Sequence, residues 1–350
     1  MLKVKSLKEE IRAAGLMRRR EGETWLKFAF FFGVIAMLVY AHTQLPFWGS
    51  VALMPLTAWF CAVIAMMGHE GSHRGLSNST FRNQLIFHLT FPLFGGVSAK
   101  YWHWKHDGQH HAYPNVAEMD PDLFLWPMAA TAVEHRRSGP ARQWFQKYLQ
   151  GSMFWPLCMM LVWSMRGSSI AFLFDWARKK GIDRSWLADA GCLALHVCCW
   201  IVVPYTVFGI WGVALYAGIW TLVGGALSAV FAPAHIGLPI VEDPEDVWRL
   251  QFETTRNLTM PKWLSFFFIG LDYQIEHHLF PLIPHQSLPE VSKITRDWAR
   301  RNNVPYQEIG YLSGLADVTR HMNNAWKLEP SARMHLQSQE IAHAAEPAAA

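Results

Sequence analysis

Four apolar stretches, each long enough to cross a lipid bilayer, constrain the fold of this 350-residue chain more than any other feature. A membrane-spanning helix needs about 17–25 predominantly apolar residues. The stretches cover residues 25–42, 47–67, 190–208 and 209–232. Very short turns join the first to the second and the third to the fourth, so the sequence predicts two helical hairpins.

Basic residues avoid both hairpins, and this indicates how the hairpins are oriented. Lysine and arginine do not occur in residues 28–73 or 185–248, and Lys27 lies at the edge of the first stretch. Because cytoplasmic segments carry the excess of basic residues, both termini and the long middle segment are predicted to be cytoplasmic. We therefore predict an all-α integral membrane protein with four transmembrane helices in two hairpins and a cytoplasmic helical cap.

The composition agrees with this class and excludes others. Charged residues make up 17% of the chain, against about 25% in typical soluble domains. The net charge of +4 is too small to indicate nucleic-acid binding. The five cysteines are odd in number and lie in apolar runs, which excludes a disulfide framework and a CxxC site.

Three segments are predicted along the chain. Residues 1–24 are basic and weakly amphipathic, and are expected to form an interfacial helix on the cytoplasmic membrane surface, with a solvated helix as an open alternative. Residues 25–328 form the membrane domain, in which 84–99 and 153–165 are expected to be interfacial or re-entrant helices. Residues 329–350 are predicted to be a disordered, alanine-rich tail.

Seven of the 17 histidines form three clusters that follow or precede the hairpins. The clusters are His69 and His73; His106, His110 and His111; and His277 and His278. Histidines four apart share one face of a helix, as do Gln274, His277 and His278 at spacings of three and four. Imidazole binds iron, zinc and copper, and seven imidazoles are more than one ion needs. We therefore predict a site for two metal ions on the cytoplasmic side.

These clusters and their flanking residues resemble the histidine boxes of the membrane fatty acid desaturase family. HDGQHHAYPNVAEMDPD (106–122) is similar to the second box, and QIEHHLFP (274–281) to the third box of the front-end and related acyl-lipid branch. Gln251, Thr254 and Asn257 match the stretch before the third box, and 306–308 a stretch after it. The likeness covers about residues 25–328. It departs from the family at Glu70, where aspartate is common, and in having no His-Pro-Gly-Gly segment of a fused cytochrome b5 domain.

The resemblance implies a di-iron centre with an eighth ligand near the end of the fourth span, where His235 lies. Gln274 is expected to orient a neighbouring ligand, although direct or water-mediated metal binding stays open. Some residues that do not bind the metal are expected to hold the imidazole rings in place by hydrogen bonds. The candidates are Asp107, Asn115, Asp120, Asp122 and Glu276, each of which could equally be a helix cap or part of a surface ion pair. His103 is excluded as a ligand, and His196 is expected to hydrogen-bond between helices. His42, His88, His135, His285, His321, His335 and His343 have no cluster partner in the sequence.

Four rival interpretations differ in their chemistry. His69-Glu70-x-x-His73 matches the HExxH signature of zinc proteases, which have no use for two further clusters. The Glu-x-x-His pairs of soluble di-iron proteins occur only at Glu70 and in the tail. A non-enzymatic metal-binding or transport protein would need polar residues within the spans, which are nearly devoid of ionisable groups. Hydroxylation, ketolation or acetylene formation on the same scaffold stays open, because the first hydrogen abstraction is shared.

The function implied by the resemblance is the O2-dependent introduction of a double bond into a fatty acyl chain. The cofactors would be two iron ions, which zinc could replace in overproduced protein. The substrate would be a fatty acyl lipid or acyl thioester in contact with membrane lipid. Electrons would come from a separate donor, a ferredoxin or a cytochrome b5 with its reductase. The expected location is a bacterial inner membrane, or the endoplasmic reticulum in a eukaryote.

Overall fold

A computed structural model describes residues 4–331 of the chain, and most of these residues are helical. Four helical segments have the length and composition needed to cross a membrane. They are α2 (Glu21–Gln44), α3 (Phe47–Ser72), the segment Arg184–Phe208 and α12 (Ile210–His235). The third segment comprises α10 (Arg184–Val197), a π-helical stretch (Cys198–Val202) and α11 (Val203–Phe208). The expected four membrane helices are therefore matched by four candidate membrane segments, each longer than the apolar stretch in the sequence.

The turns within both hairpins are as short as predicted. Gly209 is the one residue between α11 and α12, and its φ of 60° is the left-handed conformation that glycine adopts most readily. A helix pair of the middle segment, α8 (Gln150–Cys158) and α9 (Leu161–Lys180), is also apolar and bends by 66° at its junction. The interfacial or re-entrant helix expected at residues 153–165 falls on this bend.

The main hydrophobic core lies between α2, α3, α9 and α12. Phe31 of α2, Met66 of α3 and Val223 of α12 are fully or almost fully buried in it. At Gly224 the backbone of the α8–α9 junction approaches so closely that a Cβ atom would lie 2.4 Å from the carbonyl oxygen of Met159. Glycine at this position therefore allows α12 to lie directly against the bend.

The remaining helices form the cap and its connections. They are α1 (Lys5–Ala13), α4 (Thr80–His88), α5 (Ala99–Trp102), α6 (Ala132–Arg136), α7 (Pro140–Tyr148), α13 (Val247–Thr254), α14 (Lys262–Phe268), α15 (Gln274–Leu279), α16 (Leu288–Arg301) and α17 (Tyr311–Asn324). Two further π-helical stretches cover Leu89–Gly95 and His103–His110. Short 3-10 turns cover Pro121–Leu123, His285–Ser287 and Ala325–Lys327.

A small parallel sheet adds to the all-α architecture expected from the sequence. Strand β1 (Asn257–Thr259) pairs with β2 (Glu308–Gly310), with Leu258 opposite Ile309. Strands of three residues are too short to produce an alternating pattern, so the sequence contained no signal for them. The pair joins the segment before α15 to the start of α17.

The N-terminal helix α1 lies against α16. Its apolar residues Leu7 and Ile11 are buried in a core that includes Trp298, whose indole N–H donates a hydrogen bond to the Ser6 hydroxyl at 2.8 Å. Protein therefore covers this apolar face, and a position of α1 on the membrane surface stays a prediction. Most of the predicted tail, with His335 and His343, lies outside the described residues.

Candidate metal centre

Four elements bring the eight predicted histidine ligands to one end of the two hairpins. His69 lies in the last turn of α3 and His73 directly after it, and His235 is the last residue of α12. His106 and His110 lie on a π-helical stretch that His111 caps, and His277 and His278 lie on α15. Because α3 and α12 both end here, the second and fourth spans converge on the same cap.

The eight imidazoles fall into two groups whose potential ligand atoms lie within 4.8 Å of one another. The first contains His69, His73, His106, His111 and His277, and the second contains His110, His235 and His278. Each of the neighbouring pairs, His110–His111 and His277–His278, contributes one member to each group. The two candidate metal positions therefore lie side by side, and ligation by these eight residues stays a prediction.

Imidazole nitrogens within these groups face one another or lack a partner. His106 Nε2 lies 2.7 Å from His69 Nε2 and 3.1 Å from His111 Nε2. Within the two groups, all of whose members are described, six buried ring nitrogens have no hydrogen-bond partner: Nε2 of His73, His277 and His278, Nδ1 of His111, and both nitrogens of His235. Unpartnered buried polar atoms are costly, whereas lone pairs converging on a common point are the donor set that a metal needs. The residues therefore fit metal ions.

Burial keeps these imidazoles in the form that binds metals. Removal from water lowers the pKa of His106, His111, His277 and His278 well below the ordinary value of 6.5. Nearby imidazoles lower each of these pKa values further, because two protonated rings repel each other. The rings are neutral at physiological pH and keep a lone pair available.

His110 differs, because carboxylates hold its other ring nitrogen. Its Nδ1 lies 3.1 Å from both oxygens of Asp120 and 3.3 Å from Asp122 Oδ2. Burial lowers the pKa of His110, but the two carboxylates outweigh it and the net pKa is raised. Asp122 also pairs with Lys105. With Nδ1–H donated to Asp120, Nε2 of His110 is left to face the centre.

Two more of the predicted supporting residues contact the histidine set. Asp107 lies 3.5 Å from His73 Nδ1 and uses its other oxygen to accept a 2.5 Å hydrogen bond from His103 Nδ1. Asn115 donates its side-chain N–H to the His235 carbonyl at 3.0 Å and its backbone N–H to Asp120 at 2.8 Å. His103 thus supports the site through Asp107.

The remaining two candidates behave differently. Glu276 accepts hydrogen bonds from Asn257 and from the Tyr306 hydroxyl, at 2.8 and 2.9 Å. Burial raises the pKa of Glu276 to about 7. Its bonds connect the strand β1 to α15 and include no imidazole among the described residues. The Gln274 side-chain oxygen is buried and has no partner within residues 4–331, so its role stays a prediction.

Gln251 is a supporting residue that the sequence did not assign to the site. Its side-chain oxygen lies 3.1 Å from His278 Nδ1, and its amide nitrogen donates to the His111 carbonyl at 3.1 Å. One side chain thus contacts a member of each group. The available signal was the match of Gln251 to the stretch before the third box.

Glu70, the glutamate of the HExxH match, is bound elsewhere. Its two oxygens accept hydrogen bonds from the backbone and ring of His285, whose Nε2 lies 2.9 Å from Lys27 Nζ. His285, which has no cluster partner in the sequence, is thus held by residues that the fold brings to it from distant segments. A glutamate occupied in this way is not placed as the general base of a protease.

The other histidines with described partners lie apart from the two groups. His196 bonds to the Tyr216 hydroxyl at 2.6 Å and to the Leu93 carbonyl at 3.0 Å, so it connects helices as predicted. His42, His88 and His135 bond to Thr57, Gln84 and Gln146.

A large apolar cavity opens onto the histidines. It encloses about 1470 Å³, part of it open to solvent. Its wall includes His69, His106, His110 and His235 together with apolar side chains of α3, α9 and α12. An elongated apolar ligand placed here would pass next to both groups.

Comparison with known proteins identifies the family of this chain. A family model described as fatty acid desaturase matches residues 45–310, which includes all eight histidines. The chain belongs to the fatty acid desaturase family. Desaturases of this family act in lipid metabolism, and the two histidine groups agree with metal dependence.

Several named desaturases are similar over most of the chain. An acyl-lipid (9-3)-desaturase of Physcomitrium patens is 23% identical over 88% of this chain and 58% of its own length. A Delta(6)-fatty-acid desaturase of Caenorhabditis elegans is 26% identical over 91% of this chain and 73% of its own length. A Delta(8)-fatty-acid desaturase of Arabidopsis thaliana is 25% identical over 75% of this chain and 60% of its own length. The chain thus spans about three fifths to three quarters of the length of these relatives.

Proposed function

We propose that this chain is a membrane fatty acyl desaturase that uses O2 and two iron ions to introduce a double bond into an acyl chain. The observation that carries the proposal is that two groups of converging imidazoles lie at an apolar cavity, whose wall includes His69, His106, His110 and His235. The names of the related proteins support fatty acyl lipids as the substrate class. An acyl thioester is the alternative carrier.

The histidines divide into two ligand groups, one for each ion. His69, His73, His106, His111 and His277 would hold one iron, and His110, His235 and His278 the other. Iron bound here would supply the oxidation with O2 that no amino-acid side chain can perform on an unactivated methylene. Zinc could occupy the same nitrogens in overproduced protein, because it also prefers imidazole.

The protein contributes orientation, a dry cavity and substrate position. Asp120, Asp107 and Gln251 contact ring nitrogens on the side away from the centre, so the lone pairs are aimed inward. The apolar wall excludes water and holds an acyl chain next to the histidines. The reaction removes two hydrogens from adjacent carbons and consumes O2, two electrons and two protons to form two molecules of water.

The electrons must enter from outside the substrate. We propose a separate ferredoxin, or a cytochrome b5 with its reductase, as the donor. The distribution of basic residues supports cytoplasmic termini and a cytoplasmic centre. One candidate surface for an acidic donor carries arginines 18–20 and the arginines of α16. Anionic lipid headgroups would bind the same positive charges equally well.

Lipid analysis of a host that expresses the chain tests this function. Wild type should produce a new acyl double bond, whereas His110→Ala and His277→Ala should not, with His88→Ala as the matched control outside both groups. Purified wild type from iron-replete cells should contain about two iron ions per chain, as the two groups require. A hydroxylated chain would favour the sister oxygenase reaction. One tightly bound zinc together with peptide cleavage would contradict the proposal.

A further inference from the structure

A buried arginine lies in the apolar part of the fold, far along the chain from the histidine clusters. Arg166 of α9 is 8% exposed, and its Nε donates a hydrogen bond to the Gly95 carbonyl at 3.0 Å. Within residues 4–331, neither Nη1 nor Nη2 has a hydrogen-bond partner. A guanidinium in a segment apolar enough to enter a membrane is costly, and such residues are usually retained for function.

Three aromatic rings surround this guanidinium. Its Cζ atom lies 4.5 Å from the ring centre of Trp220, 4.8 Å from that of Trp163 and 5.2 Å from that of Tyr216. A cation above an aromatic face is attracted by the ring, and more strongly where water is excluded. The contact with Trp220 is the shortest of the three, so Arg166 restricts the position of this indole.

Trp220 lies on the wall of the apolar cavity and is the lining residue of α12 that is farthest from His235 along the helix. The lining residues of α12 are Trp220, Leu227, Ser228, Phe231, Ala232 and His235, which follow one face of the helix. Trp220 and His235 are fifteen residues apart on α12, or about 22 Å along a helix that rises 1.5 Å per residue. The same helix therefore carries a candidate metal ligand at one end of its lining face and Trp220 at the other.

The region behind Trp220 is filled. Tyr216 lies one turn further from His235, and its hydroxyl bonds to His196 Nε2 at 2.6 Å. At Gly96, with a φ of 69°, an added Cβ would lie 2.7 Å from His196 Nε2 and 3.0 Å from Arg166 Nε. An acyl chain cannot extend through this packed polar layer without displacing it.

We propose that Trp220 is the end wall of the acyl cavity and that Arg166 is a positioning residue that holds its indole there. Together they limit the length of the acyl chain that fits beyond the metal centre. The methyl end of the substrate lies against Trp220, because Trp220, Val162 and Met165 line the cavity while the polar Arg166, Tyr216 and His196 lie behind its wall. This inference rests on the proposed function and names a determinant of its substrate specificity.

Variants of the two residues should change the accepted chain length. The variants are supplied with saturated acyl chains of increasing length, and the desaturated products are quantified. In Trp220→Ala, the amount of product from chains too long for wild type, divided by that from chains that wild type accepts, should rise about tenfold or more. The same ratio in Trp220→Phe should lie between those of wild type and Trp220→Ala. Arg166→Met should shift the profile in the same direction, and Arg166→Lys should restore it in part, because a cation remains. Trp211→Ala, an exposed tryptophan of α12, and Arg178→Met, an exposed arginine of α9, are the matched controls.

A binding experiment separates this inference from the proposed activity. Full-length protein in nanodiscs is labelled with a saturated fatty acid that carries a photoactivatable diazirine at its terminal carbon. Wild type should be labelled at Trp220 or at Met165 and Val162, which line the same cavity, whether or not it forms a double bond. Trp220→Ala should move the label to residues behind Trp220. Labelling confined to lipid-facing residues, or a length profile in Trp220→Ala and Trp220→Phe equal to that of Trp211→Ala, would overturn the proposal.

Discussion

The Glu70 carboxylate accepts two hydrogen bonds from His285, one from its backbone N–H at 2.7 Å and one from its ring Nδ1 at 2.6 Å. Because Nδ1 carries the proton, Nε2 accepts the hydrogen bond from Lys27 at 2.9 Å. Both Glu70 and His285 are buried. The contact joins the end of α3, which carries His69 and His73, to the loop after α15, which carries His277 and His278.

We expect His285→Ala to destabilise the protein, because it removes the ring N–H that donates to the buried Glu70 carboxylate and keeps only the backbone donor. A hydrogen bond to a charged group contributes about 1.5–3 kcal/mol, so the melting temperature of the detergent-solubilised protein should fall clearly. His88→Ala, which removes a ring bonded only to a nearby carbonyl, is the control. Equal melting temperatures for the two variants would show that the Glu70–His285 contact does not hold the cap.

Asp120→Asn should weaken metal binding in the group of three histidines and leave the group of five intact. The substitution keeps the shape but removes the charge that orients His110, and such changes typically cost about 10–100-fold in affinity. Metal analysis after dialysis should show a ratio that falls from about two ions per chain toward about one. Glu118→Gln, an exposed carboxylate of the same loop, should keep both ions. Loss of both ions in Asp120→Asn would mean that the two groups do not bind independently.

Gln251→Ala should weaken both groups, because this side chain contacts His278 and the His111 carbonyl. Gln251→Glu retains an acceptor for the His278 Nδ1–H and should recover part of the affinity. Competition with a chromophoric chelator measures the change, with Gln143→Ala as a control outside the site. An affinity in Gln251→Ala equal to wild type would remove Gln251 from the supporting set.

The metal-free protein should lose stability as the pH falls below about 6.5, the pKa of histidine in an unfolded chain. Burial lowers the pKa of His106, His111, His277 and His278, so the unfolded chain binds protons that the folded chain does not. The raised pKa of His110 acts in the opposite direction but is one group against four. The melting temperature should therefore be lower at about pH 5.5 than at about pH 7.5. A smaller difference is expected in a His277→Ala, His278→Ala double variant.

Features encoded within one short segment could be predicted from the sequence. The four spans follow from apolar length, and the pairing of His69 with His73 or His106 with His110 follows from helical spacing. His235 was predicted from its place at the end of a span together with the family resemblance. The structure brings these residues together, and their convergence was implied only by the shared side of the membrane.

Contacts between distant segments left no local signal. Glu70 and His285 are separated by 215 residues, and Gln251 lies well before the histidine that it contacts. The strands β1 and β2 are too short to show a period, and their pairing depends on the docking of α17. The cover that α16 provides for Leu7 and Ile11 likewise depends on packing between the two ends of the chain.

The adjacent residues His277 and His278 belong to different histidine groups, and this has a consequence for biosynthesis. Neither group is complete until α15 has left the ribosome, when both membrane hairpins have long been synthesised. Under the proposed function, metal loading of either complete group therefore follows the synthesis of α15. A ribosome that stalls before residue 277 would release a membrane-inserted chain unable to assemble either complete site.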